Sequence, residues 1–328
     1  MASSPRGYNS FVPVEIPPVI LILGPTASGK SALAFSLAEL YKGQIEIVSA
    51  DSMQIYRGMD IGTAKPSITE QGQIPHHLID VADPYEEGFT VERWLEGAHT
   101  AIENIQQRGK SAVVVGGTNL YVQALLAGLF EGPAADETLR ATLRELSLAE
   151  LRARLIAIDP PSADRIHPND QRRMIRAIEV TTLTGVALSA HQTQWNARGP
   201  TLPAGWQCFG LLPDPESNST SINRRVKKMM ESGFLDEVRR LLQIAPLGRQ
   251  AGEAVGYREL AQHIAGTMPL NDAFEAIKIR TRKLARQQRT WLRRFRHIER
   301  STWSTDPCNE EKTKEFFREV LGLTNRTS

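Results

Sequence analysis

Two cysteines in 328 residues, Cys208 and Cys308, provide neither a disulfide framework nor a zinc-ligand spacing. A reducing, cytoplasmic setting is therefore the expectation. No apolar run approaches the ~20 residues that a membrane-spanning helix needs. Residues 1–17 have no continuous apolar core, so they do not read as a secretory signal and are expected to form a loose tail. Repeats and low-complexity tracts are missing, and no oligomerisation heptad stands out, which makes a monomer the expectation. Net charge is only +2, so an attraction to polyanions cannot come from bulk charge. The remaining composition, 41% hydrophobic and 23% charged, is that of a globular chain long enough for one large domain or two smaller ones.

What is present begins with Val19-Ile20-Leu21-Ile22-Leu23 followed by Gly24-Pro25-Thr26-Ala27-Ser28-Gly29-Lys30-Ser31. The spacing Gly-x4-Gly-Lys-Ser turns successive backbone N–H groups toward phosphate oxygens. Lys30 adds a point charge, and the Ser31 hydroxyl suits Mg²⁺. Helical apolar spacing resumes at Ala32, Leu33, Phe35 and Leu37, so the positive end of a helix dipole points at the same place. A strand before and a helix after complete the context of a phosphate-binding loop.

The first 130 residues alternate between strand and helix patterns, which predicts an α/β domain with a mainly parallel sheet. Strands are expected at Val19–Leu23, Glu46–Ala50, His77–Val81 and Ala112–Val115, with helices at Gly29–Leu40, Val91–Gln107 and Thr118–Leu126. Ligands collect outside the carboxyl ends of strands in such sheets, so the loop, Asp51 and Thr118 should converge. Residues 132–203 read as helix only: Asp136–Leu146, Leu148–Ile158, and a helix capped by Asn169 and stopped by Gly185. Trp206–Leu212 reads as one more strand, followed by helices to the end. The expected organisation is a tail over 1–17, a phosphate-loop core over 18–131 and 204–300, a helical insertion over 132–203, and an extension over 301–328.

Charge is unevenly placed. From Lys278 to Arg300 ten Lys or Arg residues face a single acid, Glu299, and Arg172, Arg173 and Arg176 form a second cluster. On the terminal helix Ile277, Leu284, Trp291, Leu292 and Phe295 can face a core while the cations point outward. A nearly single-signed face suits an acidic partner, and nucleic acid is the expectation.

The phosphate chemistry has two readings from motif physics. The strand after which many nucleotide hydrolases place an acid ends here in Gly116-Gly117-Thr118, and the nearest strand-end acid is Asp51. Asp51 could act as base for a hydroxyl attacking a nucleotide phosphate, as in a small-molecule kinase using ATP. It could equally deprotonate an amine attacking carbon, with diphosphate leaving.

Longer words favour the second. The run Ser49-Ala50-Asp51-Ser52-Met53-Gln54-Ile55-Tyr56-Arg57-Gly58-Met59-Asp60-Ile61-Gly62-Thr63-Ala64-Lys65-Pro66 resembles the signature of the tRNA dimethylallyltransferase (tRNA isopentenyltransferase) family. The resemblance continues through Pro75–Asp80, Val115–Tyr121, Ile166–Asp170 with Arg173 and Arg176, Val255–Glu259, and Thr281–Leu292. It implies a phosphate-loop fold that holds dimethylallyl diphosphate and transfers its allyl group to N6 of adenosine 37 in tRNA, beside the anticodon. Isopentenyl transfer to free adenine nucleotides is the nearby alternative, and it would leave the RNA-facing elements without use.

The same resemblance assigns roles. Asp51 matches the general base, Thr118 a residue beside the reacting centre, and Lys30 and Arg225 contacts to the diphosphate. Asp51, Ser52, Met53 and Gln54 are implied beneath the target adenine. Thr118, Arg140, Arg172, Arg173, Arg176, Arg258, Arg286, Arg289 and Arg293 are implied along the RNA. The chain departs from the family at Pro215 and Ser221, where arginines are usual, and at Gln287-Gln288 in place of Arg-Gln. Adjacent His76 and His77 point apart on a strand and do not read as a metal pair. Trp195, Trp206, Trp291 and Trp303 read as core or surface anchors.

Overall fold

In the computed structural model, residues 17–130, 132–192 and 201–305 are described. Most of the expected tail, the C-terminal extension beyond 305, Trp195 and Cys308 lie outside them. Two compact units emerge, Met1–Val122 with Leu202–Ser328, and Gln123–Thr201.

The first unit starts with β1 (Val19–Leu23), α1 (Lys30–Leu40), β2 (Ile45–Ala50), α2 (Ile68–Gln73), β3 (His76–His77), α3 (Val91–Gln107) and β4 (Ser111–Gly116), leading into α4 (Asn119–Ala127). The second unit carries α5 (Glu137–Arg144), α6 (Leu148–Ile158), α7 (Pro160–Arg165), α8 (Gln171–Thr184) and α9 (Leu188–His191). The chain then returns to the first through β5 (Trp206–Leu211), α10 (Pro215–Glu231), α11 (Phe234–Ile244), α12 (Arg249–Gly252), α13 (Tyr257–Ile264), α14 (Leu270–Leu292) and β6 (Ser301–Ser304).

The strands form one sheet in the order β3-β2-β4-β1-β5-β6, and every pairing is parallel. Both faces of the central strands are covered, which is why they read as continuous apolar runs. Ile20, Ile22, Ile47, Val113, Val115 and Phe209 pack with Ala34 and Leu37 of α1. The buried face of α3, Trp94, Ala98, Ala101, Ile102 and Ile105, follows the helical period and supports β2 and β4 from its own side. Thr90 caps α3 by accepting the Arg93 N–H at 3.2 Å.

Two expectations need correction. The strand expected at His77–Val81 stops after His77 because Leu78 (φ 61°) and Asp80 (φ 57°) turn left-handed. A Cβ placed at Gly97 of α3 would lie 2.8 Å from Leu78 Cδ2, so the small residue there makes room for that turn. Nor are the described residues after β5 helical throughout. β6 joins β5 in parallel, and Gly210 leaves space for the Trp303 ring, which a Cβ would meet at 2.0 Å.

The second unit is built around Leu143, Leu151, Leu155, Met174, Ile175, Ile178 and Leu188. Asp170, one residue later than expected, caps α8 by accepting the Arg173 N–H at 3.2 Å, and Gly185 (φ 70°) stops the helix. Asp159 is fully buried and caps two helices at once. Its Oδ1 accepts the Ser162 N–H and its Oδ2 the Ser189 N–H.

Candidate active site

The phosphate loop leaves β1 with a geometry that only small residues permit. A Cβ at Gly24 would lie 2.4 Å from Ser28 Oγ and 3.0 Å from the Leu211 carbonyl. Ala27 (φ 59°) and Gly29 (φ 87°) adopt left-handed backbone, which folds the loop into an anion-binding concavity at the start of α1. Lys30 is buried, with Nζ donating to the Pro25 carbonyl at 3.3 Å. Burial lowers its pKa from 10.5 to about 8. The Asp51 charge opposes that shift and the Arg225 charge adds to it. Lys30, Asp51 and Arg225 therefore sense one another at the carboxyl edge of the sheet, with Asp51 on the side of Lys30.

Asp51 follows β2. Its Oδ1 accepts the Met53 N–H at 2.8 Å and the Gln54 N–H at 3.4 Å, an Asx turn that fixes the carboxylate. Among the described residues, Oδ2 accepts no protein hydrogen bond, so half the carboxylate is available to a ligand. Thr118 follows β4, the strand beside β2, and its Oγ1 accepts the Ser52 N–H at 3.0 Å and donates to Ser52 Oγ at 3.3 Å. The turn after β2 and the turn after β4 are thus tied through one hydroxyl.

Gln54 faces the protein interior. Its Oε1 accepts from Ser49 Oγ at 3.1 Å, and its Nε2 donates to the Thr63 and Ala64 carbonyls at 3.3 and 3.2 Å. A role lining a pocket with its carboxamide is therefore replaced by one holding the 63–64 turn. Arg225, on α10, donates to the same Thr63 carbonyl at 3.3 Å. Burial depresses its pKa and the Asp51 charge counteracts this.

Sequence patterns missed the groups that hold this loop from afar. Glu237, buried on α11, accepts the N–H groups of Asp60, Ile61 and Gly62 at 3.0, 2.7 and 3.2 Å. Lys65 bridges the Tyr56 carbonyl, Asp60 and Asp80 at 2.8, 2.6 and 2.6 Å. Asn218 Nδ2 donates to the Thr26 carbonyl at 3.1 Å, and Gln288 Oε1 accepts the Thr26 N–H at 2.8 Å. No local periodicity signals such contacts. At the departure from the family pattern, Pro215 occupies the first turn of α10 after the Asp214 cap, a position where a missing N–H is harmless.

The expected RNA contacts divide. Arg172, Arg173, Arg258, Arg286 and Arg293 are exposed. Arg140 and Arg176 instead bind the fully buried Glu179, at 2.8 and 2.6 Å. Arg289 turns inward to the Pro213 carbonyl at 2.7 Å and to Asn218 Oδ1 at 3.3 Å. The basic run of α14 also has partners on other elements, contrary to the outward-facing expectation: Arg280 with Glu259 and Arg282 with Asn223. Leu284, expected in the core, is exposed.

Ser31 is exposed in the first turn of α1, beside Lys30. Among the described residues no group of three or more His, Cys, Asp or Glu side chains could hold a metal by itself. An oxygen donor set drawn from Ser31 and a bound phosphate fits Mg²⁺, which keeps several waters and needs few protein ligands.

A phosphate loop after the first strand, faced by a fixed carboxylate two strands along, defines a phosphate-loop α/β enzyme rather than a passive scaffold. The model of the IPP transferase family matches residues 54–295, and the chain belongs to that family. It is 44% identical over 285 residues to a tRNA dimethylallyltransferase of Geobacter metallireducens, covering 85% of this chain and 91% of that one. With tRNA dimethylallyltransferase 2 of Syntrophus aciditrophicus it shares 43% over 313 residues, or 94% and 98% of the two chains. Among solved structures, the full-length tRNA isopentenylpyrophosphate transferase of Bacillus halodurans superposes with a TM-score of 0.66 at 35% identity, covering 93% and 97%. A eukaryotic dimethylallyltransferase described as acting on tRNA gives 0.75 at 28% identity, covering 92% and 77%. The two solved structures share the fold of this chain.

Proposed function

We propose that this protein is a tRNA dimethylallyltransferase, transferring the dimethylallyl group of dimethylallyl diphosphate to N6 of adenosine 37 beside the tRNA anticodon. The observation that carries the reading is that the phosphate loop with Lys30 and the fixed Asp51 turn leave the same edge of one parallel sheet, with Arg225 donating to the Thr63 carbonyl that Gln54 also holds. Two cations suit a departing diphosphate, and a carboxylate with one uncommitted oxygen suits a proton acceptor.

In the transfer, the allylic C–O bond breaks, a C–N6 bond forms, and N6 loses one proton. Positive charge spreads over the allyl unit as the leaving diphosphate separates, so groups that stabilise the diphosphate lower the barrier directly. Lys30, Arg225 and the loop amides around Ala27–Ser31 take that role. The adenine amine is a poor nucleophile while its lone pair is delocalised, and Asp51 Oδ2 collects its proton as the new bond forms. Thr118 orients the reacting groups from the neighbouring turn. Ser31 would hold Mg²⁺, which would supply further charge neutralisation to the leaving group.

The adenine must leave its stack to be reached. Ser52 and Met53, beside Asp51, border the base, with Gln54 supporting them from behind. Arg172 and Arg173 of the helical unit, and Arg258, Arg286 and Arg293 of the first unit, contact RNA phosphates, so affinity falls steeply with salt. We read the protein as a cytoplasmic monomer. No described helix is long and apolar enough to cross a membrane.

The test is incubation of purified protein with labelled dimethylallyl diphosphate, Mg²⁺ and either tRNA or AMP. Label entering tRNA and not AMP is expected. Label entering AMP alone, or neither acceptor, overturns the reading.

A further inference from the structure

Gln288 connects the two loops that the transfer requires to stay in register. Its Oε1 accepts the backbone N–H of Thr26, in the phosphate loop after β1, at 2.8 Å. Its Nε2 donates to the carbonyl of Gly117, the residue before Thr118, at 2.8 Å. β1 and β4 are adjacent parallel strands, so these loops leave the same edge of the sheet side by side. One carboxamide spans them, and both of its ends are used within the protein.

The fit is close. A Cβ at Gly117 would lie 2.7 Å from Gln288 Nε2 and 3.0 Å from the Gly24 carbonyl. The Thr26 peptide is also held from its other side, because its carbonyl accepts Asn218 Nδ2 at 3.1 Å. Asn218 is only 2% exposed, and its Oδ1 accepts Arg289 Nη2 at 3.3 Å. Consecutive residues of α14 therefore fix both backbone polar atoms of Thr26, its N–H by Gln288 directly and its carbonyl by Arg289 through Asn218. That arrangement separates Gln288 from the exposed Arg286 and Arg293 on the same segment.

We propose that Gln288 is a positioning residue for the transfer, setting the separation between the diphosphate-holding loop and the Thr118 turn beside the amine. The inference rests on the transferase reading above. Displacement at carbon needs the leaving oxygen, the carbon and the attacking nitrogen in one geometry, and small displacements of either loop are costly. Losing both bonds frees the Thr26 peptide on one side and uncouples the Thr118 turn from it.

The experiment uses the full chain with Gln288→Met, which keeps length and loses both bonds, and Gln288→Glu, which can accept from Thr26 but cannot donate to Gly117. Gly117→Ala, which pushes on the carboxamide from the opposite side, serves as a second route should the Gln288 variants fold poorly. Single-turnover transfer, tRNA affinity and, by calorimetry, direct binding of inorganic diphosphate are measured for each. Gln288→Met is expected to slow transfer about tenfold to a hundredfold and to weaken inorganic diphosphate severalfold, with tRNA affinity within about twofold of wild type. Gln288→Glu should weaken diphosphate further, because a carboxylate then stands beside the anion. Unchanged transfer and diphosphate affinity in Gln288→Met, or a loss of tRNA affinity as large as the loss of rate, overturns the proposal. Inactivity of the wild type on tRNA would instead sink the transferase reading, and the diphosphate measurement still reports on Gln288 in that event.

Discussion

The Glu237 carboxylate and the Tyr257 hydroxyl meet at 2.6 Å in the interior, and the same carboxylate gathers three consecutive backbone N–H groups from Asp60 to Gly62. A short loop near the site is thereby anchored to helices α11 and α13. Its next residue, Thr63, presents the carbonyl that receives both Arg225 and Gln54. The support thus runs from Glu237 through the loop to Arg225 and to the turn that carries Asp51.

Graded damage is expected from this anchor. Tyr257→Phe removes one hydrogen bond to the carboxylate and leaves it three N–H partners, so thermal unfolding should report a loss of about 1.5–3 kcal/mol. Glu237→Ala leaves three part-buried N–H groups and the Tyr257 hydroxyl without their acceptor and opens a void, and about 3 kcal/mol or more should be lost. Equal effects of the two substitutions would show that the loop does not depend on the carboxylate.

Asp51→Asn separates chemistry from architecture. The amide oxygen can still accept the Met53 and Gln54 N–H groups, so the turn survives, but no carboxylate remains to take the proton. Transfer should fall about 10²–10⁴-fold with tRNA affinity and melting temperature nearly unchanged. Undiminished turnover would remove Asp51 from the mechanism.

How much of this could be read from residues alone follows from range. The central strands were legible because a sheet covered on both faces demands unbroken apolar runs, and the phosphate loop because its spacing is local. The turn at Leu78 and Asp80 was not, since left-handed backbone at non-glycine residues leaves no compositional mark. β6 escaped notice because Ser301–Ser304 has no apolar run and owes its pairing to β5. Asp51, Thr118 and Lys30 could be named from strand ends and motif. Glu237 and Asn218 could not, and Gln288 stood in a family motif without showing its role, as each acts on backbone far away in the chain.

The pH dependence of diphosphate binding should reflect Lys30. Burial brings its folded pKa to about 8 in the free protein, so the ammonium is lost as pH rises through that value. Affinity for inorganic diphosphate should weaken above pH 8, and the bound anion should raise the pKa, so binding takes up protons. The stability of the free protein moves the other way. Because the folded pKa lies below the unfolded value of 10.5, the unfolded chain binds the extra proton across pH 8 to 10.5, and this group's contribution to stability rises over that window. Lys30→Met should abolish the alkaline limb of diphosphate binding and the associated proton uptake, measurable by calorimetry in two buffers.

At the opposite end of β2, burial alone would raise the pKa of Glu46, but bonds from Lys110, His77 and Arg108 outweigh it and hold the carboxyl at about 2. A depressed carboxylate stabilises the fold above its unfolded value of 4.5, and that contribution is lost as pH falls through the folded value. Glu46→Gln should therefore flatten the acid limb of stability between about pH 4.5 and 2 while leaving transfer intact. An acid unfolding curve that keeps its wild-type slope would assign that limb to other groups.

The arginines of the helical unit divide into two kinds that substitution should tell apart. Arg172 and Arg173 project from α8 into solvent, whereas Arg140 and Arg176 hold the fully buried Glu179. If the exposed pair meets RNA phosphates as proposed, removing one member costs affinity without disturbing the fold. Arg172→Ala should weaken tRNA binding and reduce the slope of log affinity against log salt by about 0.7–0.9, with melting temperature unchanged. Arg176→Ala leaves part of a buried carboxylate uncompensated and should cost about 3 kcal/mol or more of stability. Glu179→Gln with Arg176→Met, by removing both charges, should recover much of that loss. If Arg176→Ala instead matched Arg172→Ala, with a reduced salt slope and an unchanged melting temperature, Arg176 would be a direct RNA contact and Glu179 would not depend on it.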